Sequence, residues 1–330
     1  MKTNVAVVIP NWNGADFIAD ALTSLKSQTA KLHIIVVDNG SVDESISVIQ
    51  KFGASVELIK LPKNTGFAGG VNRGIESAMA KDCTFVALLN NDAVADKHWL
   101  ANLLEAAEQN PTAGIVASKM LRSGGAYLDS TGESLSIWGL PFPRGRNEKD
   151  TGQYDTKNAI LAASGGASLY RVAMLKEVGL FDEDFFVYFE DVDISLRARL
   201  AGWEVIYEPT AIVEHQVSAT ASKLGTFTLK HSVKNFLLLY AKNMPLRLYI
   251  KYSPLFALQY LRWLITSTLR GKLFAFLAGT WAAVKLHPDT VVKRRQIQRH
   301  ARLSTKDLDR LLYKHRPPRQ PAMPKKGSAA

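Results

Sequence analysis

Apolar runs that stop abruptly at polar residues recur in the first hundred residues of the chain. Val5–Ile9, Ile34–Val37 and Thr84–Leu89 are rich in β-branched and other apolar residues, which is typical of buried strands in a parallel sheet. Helix-period segments at residues 15–28 and 43–52 follow the first two runs. This alternation predicts an α/β protein with a mostly parallel central sheet.

The residues that follow these three strands are mostly amides and carboxylates. They include Asn11, Asn13, Asp38, Asn39, Asn91 and Asp92. Because ligands of open α/β sheets bind beyond the carboxyl ends of the strands, we expect a nucleotide-sized site at this edge. No G-x-G-x-x-G follows the first strand, which disfavours a nicotinamide or flavin site. Taken singly, each polar ending is equally compatible with a turn capped by Asn or Asp.

Six motifs occur in a fixed order over about two thirds of the chain. They are Val8–Gly14, Val37–Ser41, Asn64–Gly74, Leu89–Ala93, Phe189–Asp193 and Ala201–Trp203. With these motifs the chain resembles the family 2 glycosyltransferases, in particular their rhamnosyltransferase-like branch. The resemblance implies a GT-A fold and an inverting, metal-dependent transfer of a sugar from a nucleotide-sugar donor to an acceptor.

The resemblance implies that the strand ends and a glycine-rich segment bind the donor. Asp38 matches the position whose carboxylate accepts a hydrogen bond from the base. The residues implied in donor binding are Pro10, Asn11, Asn13, Asp38, Asn39, Asn64, Gly66, Asn72 and Asn91. Glycines in the segment from Asn64 to Gly74 permit a ligand to approach the backbone closely, and N–H groups that open a helix favour anions. Without the resemblance, this segment is predicted to be a flexible loop.

The resemblance also implies a divalent cation, Mg²⁺ or Mn²⁺, held by Asp92 and His215. The family often has D-x-D where this chain has Asn90, Asn91 and Asp92. One carboxylate fewer should weaken metal binding, so we expect oxygens of the diphosphate to supply further ligands. A single histidine is usually structural, but His215 follows a segment that is predicted to be a short strand, and this position favours a functional role.

Carboxylates cluster at the start of a later helical segment. The family pattern makes Asp191 the general base and places Glu190 at the acceptor side. The Phe and Tyr residues around them indicate a partly desolvated site, where a carboxylate is suited to accept a proton. Asp193 is predicted to stabilise the helix, and carboxylates at a helix N-terminus are commonly only favourable partners of its dipole.

Charge is distributed unevenly along the chain. Residues 226–330 contain 21 Lys and Arg against three Asp, whereas residues 1–225 contain 20 Lys and Arg against 27 Asp and Glu. The net charge of +11 is therefore a property of the last third, which predicts an anionic partner. We divide the chain into a GT-A domain (1–225), a basic helical extension (226–315) and a disordered basic tail (316–330).

Two apolar stretches of the extension, Leu246–Ile265 and Leu273–Val284, are interrupted by Lys and Arg or are too short for a spanning helix, which needs about 20 apolar residues. Aromatic and aliphatic residues mixed with cations are typical of helices at a membrane interface. Packing on the catalytic domain or dimerisation remains an alternative. No recognised nucleic-acid motif accompanies the charge, so no nucleic-acid partner is expected.

Cys83 is the only cysteine, which excludes an internal disulfide and fits a reducing compartment. The first strand begins at once, so no signal peptide is expected. We expect a cytoplasmic protein that lies peripherally on the inner face of the cell membrane.

The resemblance implies dTDP-L-rhamnose as donor and a polyprenyl-diphosphate-linked glycan of cell-surface polysaccharide synthesis as acceptor. Another donor, such as UDP-galactose or UDP-N-acetylglucosamine, remains open. A catalytically silent protein that only binds nucleotide-sugars or acts as a scaffold is an alternative of a different class.

Overall fold

The computed structural model of the protein describes residues 4–216 and 225–323. The strands in these residues are β1 (Val5–Asn11), β2 (His33–Asp38), β3 (Val56–Lys60), β4 (Phe85–Leu89), β5 (Ala93–Ala95), β6 (Ala113–Arg122), β7 (Leu128–Ser130), β8 (Glu133–Leu135), β9 (Pro141–Pro143), β10 (Asn158–Ala159), β11 (Ala167–Arg171) and β12 (Glu204–His215). The helices are α1 (Ile18–Lys26), α2 (Ser45–Gln50), α3 (Gly66–Ala80), α4 (Trp99–Gln109), α5 (Val172–Val178), α6 (Glu190–Leu200), α7 (Gly225–Asn243), α8 (Leu246–Leu269), α9 (Leu273–Arg299) and α10 (Thr305–Leu311).

Ten of the described strands form one sheet in the order β10-β12-β6-β11-β4-β1-β2-β3, with β5 paired to β12 and β7 paired to β6. Neighbours β4, β1, β2 and β3 are parallel to one another, and so are β6 and β12. β11 runs antiparallel between β4 and β6, so β1–β4, β6 and β12 all point the same way. The prediction of an α/β fold with a mostly parallel sheet is confirmed. β8 and β9 form a separate hairpin.

The first strand is buried on both faces, and its side chains alternate between two cores. Val7 packs in the core covered by α1 and α4, whereas Val8 packs in the core covered by α3. Gly74 of α3 lies directly on this strand, because a Cβ atom built there would be 2.2 Å from Cγ1 of Val8. Glycine therefore permits the close contact of helix and sheet that brings the start of α3 to the sheet edge.

The C-terminal helices α7 to α10 share a third core with α6. Buried Leu248 and Tyr252 of α8 and Ala283 of α9 pack in the same cluster as Leu196 and Leu200 of α6. Part of the basic extension thus packs on the residues before it. None of the helices within residues 4–216 and 225–323 combines the length and the apolar character needed to cross a membrane.

The carboxylate of Asp193 connects α6 to the C-terminal helices. It is fully buried, and it accepts hydrogen bonds from Arg197 Nε at 2.9 Å, Lys242 Nζ at 2.8 Å and Asn243 Nδ2 at 2.8 Å. The bond to Arg197 lies within α6, as expected of a residue that stabilises its helix. The bonds to Lys242 and Asn243 were not expected, and they connect α6 to α7.

The predicted basic tail is described only as far as residue 323. Residues 316–323 contain neither helix nor strand, and Asn147 Nδ2 donates a hydrogen bond to the carbonyl of Pro321 at 2.9 Å. The rest of the tail, residues 324–330, lies outside the described residues.

Candidate active site

Polar side chains form a hydrogen-bonded row at the carboxyl ends of β4, β1 and β2. Asn91 Nδ2 donates to Asn11 Oδ1 at 2.8 Å, and Asn11 Nδ2 donates to Asp38 Oδ1 at 3.1 Å. The second carboxylate oxygen of Asp38 accepts from the N–H of Ser41 at 3.1 Å. These strands are neighbours in the sheet, so the expected convergence of their polar endings is observed.

A second set of amides holds the start of the glycine-rich helix α3. Asn39 accepts from the N–H of Thr65 and donates to the carbonyl of Gly66, each at 2.8 Å. Asn64 Oδ1 accepts from the N–H of Gly66 at 2.8 Å. Gly66 has φ +79°, and a Cβ there would lie 2.4 Å from the carbonyl oxygen of Phe186. A glycine is therefore required where α3 approaches the loop at Phe186.

A cavity of about 390 Å³, the sheet-edge cavity, lies between this row and the loop at residues 186–188. It is lined by Pro10, Asn11, Trp12, Asn39, Asn64, Gly66, Phe67, Asn90, Asn91, Asp92, Arg146, Phe186, Val187, Tyr188, His215 and Phe227. Six of the nine predicted donor-binding residues are among them, and so are both predicted metal ligands.

The other three predicted donor residues lie away from the lining of this cavity. Asp38 is buried behind Asn11, and Asn13 Oδ1 accepts from the N–H of Val42 at 2.9 Å. Asn72 bonds both backbone groups of Phe181, accepting at 3.0 Å and donating at 2.9 Å. Asn72 thereby connects α3 to the acidic segment that precedes α6, which contains Asp182, Glu183 and Asp184. The sequence did not indicate this contact.

Asp92 and His215 meet as predicted, at the end of β12. His215 is the last residue of a strand of twelve residues, so the expectation of a short strand before it was wrong. β12 is long because it pairs with β6 along most of its length and with β5 near its end. His215 Nε2 lies 3.0 Å from Asp92 Oδ1, and His215 Nδ1 lies 2.8 Å from Asp129 Oδ2.

Asp129 escaped sequence reasoning, although it fixes the His215 ring. Burial lowers the pKa of His215, but hydrogen bonds to Asp129 and Asp92 outweigh it and raise that pKa to about 9. The other oxygen of Asp129 faces Arg146 at 3.2 Å and Arg122 at 3.3 Å. Without a bound cation these bonds favour the protonated ring, and a metal ion would have to displace the proton on Nε2 to bind there.

Within residues 4–216 and 225–323, no group of three or more His, Cys, Asp or Glu side chains is arranged to hold a metal ion by itself. Asp92 and His215 offer one carboxylate and one ring nitrogen. Asp129 binds the other ring nitrogen, as carboxylates generally do beside metal-binding histidines. The pair fits a divalent cation that draws its remaining ligands from phosphate or water.

A second cavity of about 310 Å³, the Asp191 cavity, adjoins the first. It is lined by Phe67, Asn90, Glu133, Pro141, Phe142, Pro143, Arg146, Ser164, Gly165, Gly166, Val187, Tyr188, Phe189, Glu190, Asp191 and Val192. Phe67, Asn90, Arg146, Val187 and Tyr188 line both cavities. The predicted base and the predicted metal ligands therefore face adjoining spaces.

The Asp191 carboxylate is anchored by backbone donors. Oδ2 accepts from the N–H of Gly165 at 3.0 Å, and Oδ1 accepts from the N–H of Val192 at 2.8 Å. Burial raises the pKa of Asp191 above its usual value, although these two hydrogen bonds oppose the rise. Burial and the charge of Asp191 raise the pKa of Glu190 well above its usual range. This pattern favours an ionised Asp191 beside a neutral Glu190.

The loop before α6 lines both cavities and has an unusual backbone. Phe186, Tyr188 and Phe189 all have positive φ, at 63°, 73° and 71°, a conformation that costs free energy in residues other than glycine. The fully buried Asn235 of α7 lies against this loop. Its Nδ2 contacts the carbonyls of Phe185, Val187 and Tyr188 at 2.9, 2.8 and 2.6 Å.

Asn235 and Arg146 were both missed by sequence reasoning. The only signal for Asn235 is a polar residue at a core position of a helix, between Val233 and Phe236, which are both fully buried. Arg146 gives no such signal, because it lies in an irregular segment rich in charge.

Comparison with known proteins identifies the family of the chain. The model of glycosyl transferase family 2 matches residues 6–179. The chain belongs to this family. The predicted membership in family 2 is confirmed.

Named relatives include transferases with different substrates. The chain is 26% identical over 263 residues to the N-acetylglucosaminyl-diphospho-decaprenol L-rhamnosyltransferase of Mycobacterium tuberculosis; the match covers 72% of this chain and 85% of the rhamnosyltransferase. It is 28% identical over 214 residues to the poly-β-1,6-N-acetyl-D-glucosamine synthase of Staphylococcus epidermidis, covering 63% of this chain. The chain spans only about half the length of that synthase, 48%.

Solved structures share the fold at low sequence identity. The mannosyltransferase PcManGT from Pyrobaculum calidifontis, in complex with GDP-Man and Mn²⁺, has a TM-score of 0.55 at 17% identity and covers 93% of this chain and 88% of its own. TarS of S. aureus in complex with UDP has a TM-score of 0.53 at 16% identity, with 95% and 93% covered. The expected GT-A fold is confirmed.

Proposed function

We propose that this glycosyltransferase moves a sugar with inversion from a nucleotide-sugar in the sheet-edge cavity to an acceptor hydroxyl in the Asp191 cavity. The observation that carries this proposal is the adjacency of the two cavities. Asp92 and His215 line one of them, Asp191 lines the other, and Arg146 lines both. A displacement needs leaving group, anomeric carbon and nucleophile in one line, an arrangement that donor and acceptor in two adjoining cavities can adopt.

The sheet-edge cavity suits the nucleoside diphosphate. Pro10, Asn11 and Asn39 offer polar and flat contacts for base and ribose, with Asp38 fixing the orientation of Asn11. Arg146 is a permanent cation at the junction of the cavities, where charge develops on the leaving diphosphate. Asp92 and His215 would hold a divalent cation, Mg²⁺ or Mn²⁺, which when bound neutralises phosphate charge. Solved neighbours of the same fold were crystallised with Mn²⁺.

Asp191 is the residue that we propose as general base. Its carboxylate removes the proton of the acceptor hydroxyl while that oxygen forms a bond to the anomeric carbon. The bond from this carbon to the diphosphate oxygen breaks, and its electron pair leaves with the nucleoside diphosphate. Gly165 and Val192 hold the carboxylate through their N–H groups, and burial moves its pKa toward neutrality.

The donor that we favour is dTDP-L-rhamnose, from which L-rhamnose is transferred. The support is the rhamnosyltransferase of M. tuberculosis, of which this chain covers 85%. A UDP-hexose is the second candidate, favoured by the similarity to poly-β-1,6-N-acetyl-D-glucosamine synthase. Both relatives make or extend glycans, so the acceptor that we propose is a glycan precursor carried on a polyprenyl diphosphate.

Because such an acceptor is anchored in a membrane, we propose that the protein works at the cytoplasmic face of the membrane, where the C-terminal helices offer a surface for contact. Two stripes of exposed apolar residues run along α8 and α9 at helical spacing. They comprise Leu258, Leu261, Ile265 and Leu269 on α8 and Phe274, Leu277 and Trp281 on α9. Arg262, Arg270 and Lys285 lie exposed among them. Apolar side chains with interspersed cations favour binding at the interface of an anionic bilayer.

A panel of nucleotide-sugars tests the proposal. We expect one donor, with dTDP-L-rhamnose foremost, to raise the melting temperature in the presence of Mn²⁺ and to be slowly hydrolysed. Stabilisation by a UDP-hexose alone would replace rhamnose by the second candidate. Absence of hydrolysis with every donor would instead favour a silent binding protein.

A further inference from the structure

The Asp191 cavity contains a carboxyl group to which the family resemblance assigned no role. Glu133 is the first residue of β8, and its side chain lines the cavity together with Glu190 and Asp191. Its backbone is paired in both directions with Ala162, at 2.7 and 3.2 Å. Ala162 leads directly into the segment whose Gly165 binds Asp191. Glu133 is therefore held in a fixed position relative to the base.

The side chain of Glu133 is oriented by one hydrogen bond only. Ser130 Oγ donates to Oε1 at 3.0 Å, and Oε2 accepts no hydrogen bond from the described residues. Burial and the nearby charge of Asp191 raise the pKa of Glu133 well above its usual range. In its protonated form, which this shift favours, the carboxyl group has one O–H to donate and one carbonyl oxygen to accept with.

Glu190 provides an independent sign that the cavity takes a polar ligand. It is only 5% exposed, and its Oε2 has no hydrogen-bond partner among the described residues. Burying a polar atom without a hydrogen-bond partner costs free energy, so such atoms are uncommon in folded proteins. A ligand with hydroxyl groups would satisfy this oxygen.

The rest of the lining indicates the shape of that ligand. Phe142, Tyr188 and Phe189 present aromatic side chains, and Pro141 and Pro143 add further apolar surface. A volume of about 310 Å³ lies at the lower end of the range for ligand pockets, about 300–1,000 Å³. A single ring with apolar faces and hydroxyl groups at its rim matches this combination, and a sugar is such a ring.

We propose that Glu133, together with Glu190, binds hydroxyl groups of one sugar ring of the acceptor, and that Glu133 determines which acceptor sugar is bound. The inference rests on the proposed function, because it takes Asp191 as the base that faces the acceptor. Asp191 receives the proton of the reacting hydroxyl, and the two neutral carboxyl groups bind other hydroxyls of the same ring.

The test measures binding of methyl glycosides of N-acetylglucosamine, galactose and rhamnose by saturation-transfer NMR, with UDP or dTDP and Mn²⁺ present. We expect the wild type to bind at least one glycoside, and Glu133→Leu to bind it about three- to tenfold more weakly, the effect of one neutral hydrogen bond. Glu133→Gln keeps a donor and an acceptor and should retain most of the affinity while changing the order of preference among the glycosides. Glu204→Gln, an exposed position on β12, is the matched control.

Binding of the nucleoside diphosphate should be unchanged in both Glu133 variants. If the wild type binds none of the glycosides, or if both variants bind them as the wild type does with the same order of preference, the inference is wrong. Failure of the proposed function would appear elsewhere, as absence of hydrolysis of every nucleotide-sugar by the wild type. Glu133→Gln is nearly isosteric, so a folding defect of Glu133→Leu would leave the comparison intact.

Discussion

The sheet edge and the loop before α6 face each other across the site, and different parts of the chain hold them in place. At the sheet edge, Asn91, Asn11 and Asp38 bind one another at the ends of adjacent strands. The loop at residues 186–189 is held by Asn235, which lies in the helix after the undescribed residues 217–224. One side is supported by its own sheet, and the other by the C-terminal helices.

This difference changes the role of the basic extension. Lys242 and Lys293 form ion pairs with Asp182 at 2.6 and 2.7 Å, and Lys293 also contacts Asp184 at 2.6 Å. These carboxylates lie in the acidic segment that leads to Asp191. Besides any contact with a membrane, helices α7 and α9 therefore position the segment that carries the proposed base. The division at residue 225 stays a prediction for the chain, but the two parts share buried charges.

Asp191→Asn should have the largest effect on the loop side. An amide does not accept the proton at neutral pH, so transfer should fall by about 10²–10⁴-fold, while donor affinity at the sheet edge stays nearly unchanged. Rate measurements with calorimetry of the nucleoside diphosphate would separate the two. Exposed Glu76→Gln on α3 is the control. Retention of most of the wild-type kcat would shift the role of base to another carboxylate.

The pH dependence of the wild type offers a second view of the same residue. Because only ionised Asp191 accepts a proton, the rate should fall as the pH decreases through its pKa. Burial raises that pKa, so the fall should begin at a higher pH than for an ordinary aspartate. The decrease should disappear from the residual activity of Asp191→Asn. A profile that is flat down to the usual aspartate range would contradict this assignment.

The polar residues that meet at the sheet edge could be predicted from the sequence, whereas the contacts that hold the loop could not, and the reason is physical. Strands β1, β2 and β4 follow the local rule that apolar runs end in polar residues, and parallel pairing brings those ends together. Asn235 contacts Tyr188 across 47 positions, and no local pattern in either segment specifies the other. Arg146 and Glu133 escaped for the same reason, since the hairpin and loop around them reach the site only through tertiary packing.

Asn235→Ala should have the second largest effect, because it removes the donor to three carbonyls of the loop. Displacement of a catalytic group by about 1 Å can cost about 10²-fold in rate, so we expect kcat to fall by up to this factor with a smaller change in the donor KM. Gln298→Ala is a suitable control, because it removes a hydrogen bond from a side-chain amide to the carbonyl of Asn243 without affecting the loop. Unchanged kcat with lowered stability would mean that Asn235 acts on folding alone.

On the sheet-edge side, Asp92→Ala should weaken metal-dependent binding of the nucleoside diphosphate more than His215→Ala does. The carboxylate brings formal charge toward the cation, whereas the imidazole brings a neutral lone pair. Asp129→Asn should have the mildest effect, about 10-fold or somewhat more, because Asp129 acts on the cation only indirectly, through its contacts with His215 and Arg146. Calorimetry with and without Mn²⁺ measures the difference, and exposed Asp96→Ala is the control. If Mn²⁺ strengthened nucleoside diphosphate binding equally in the wild type and in all these variants, Asp92 and His215 would not be the metal ligands.

Substitutions in the exposed apolar stripes of α8 and α9 should have the smallest effect on the site itself. Leu269, Phe274 and Trp281 are 81%, 86% and 60% exposed, so replacing them with Ser should change the unfolding free energy by no more than about 0.5 kcal/mol each. Deleting the helices would be a poorer test, because Leu248 and Ala283 are buried against α6. Flotation with anionic liposomes should show reduced binding of the triple variant, with the remaining binding sensitive to salt. If the wild type instead ignores liposomes and forms a dimer that the variant does not, the stripes form an interface between two copies of the enzyme.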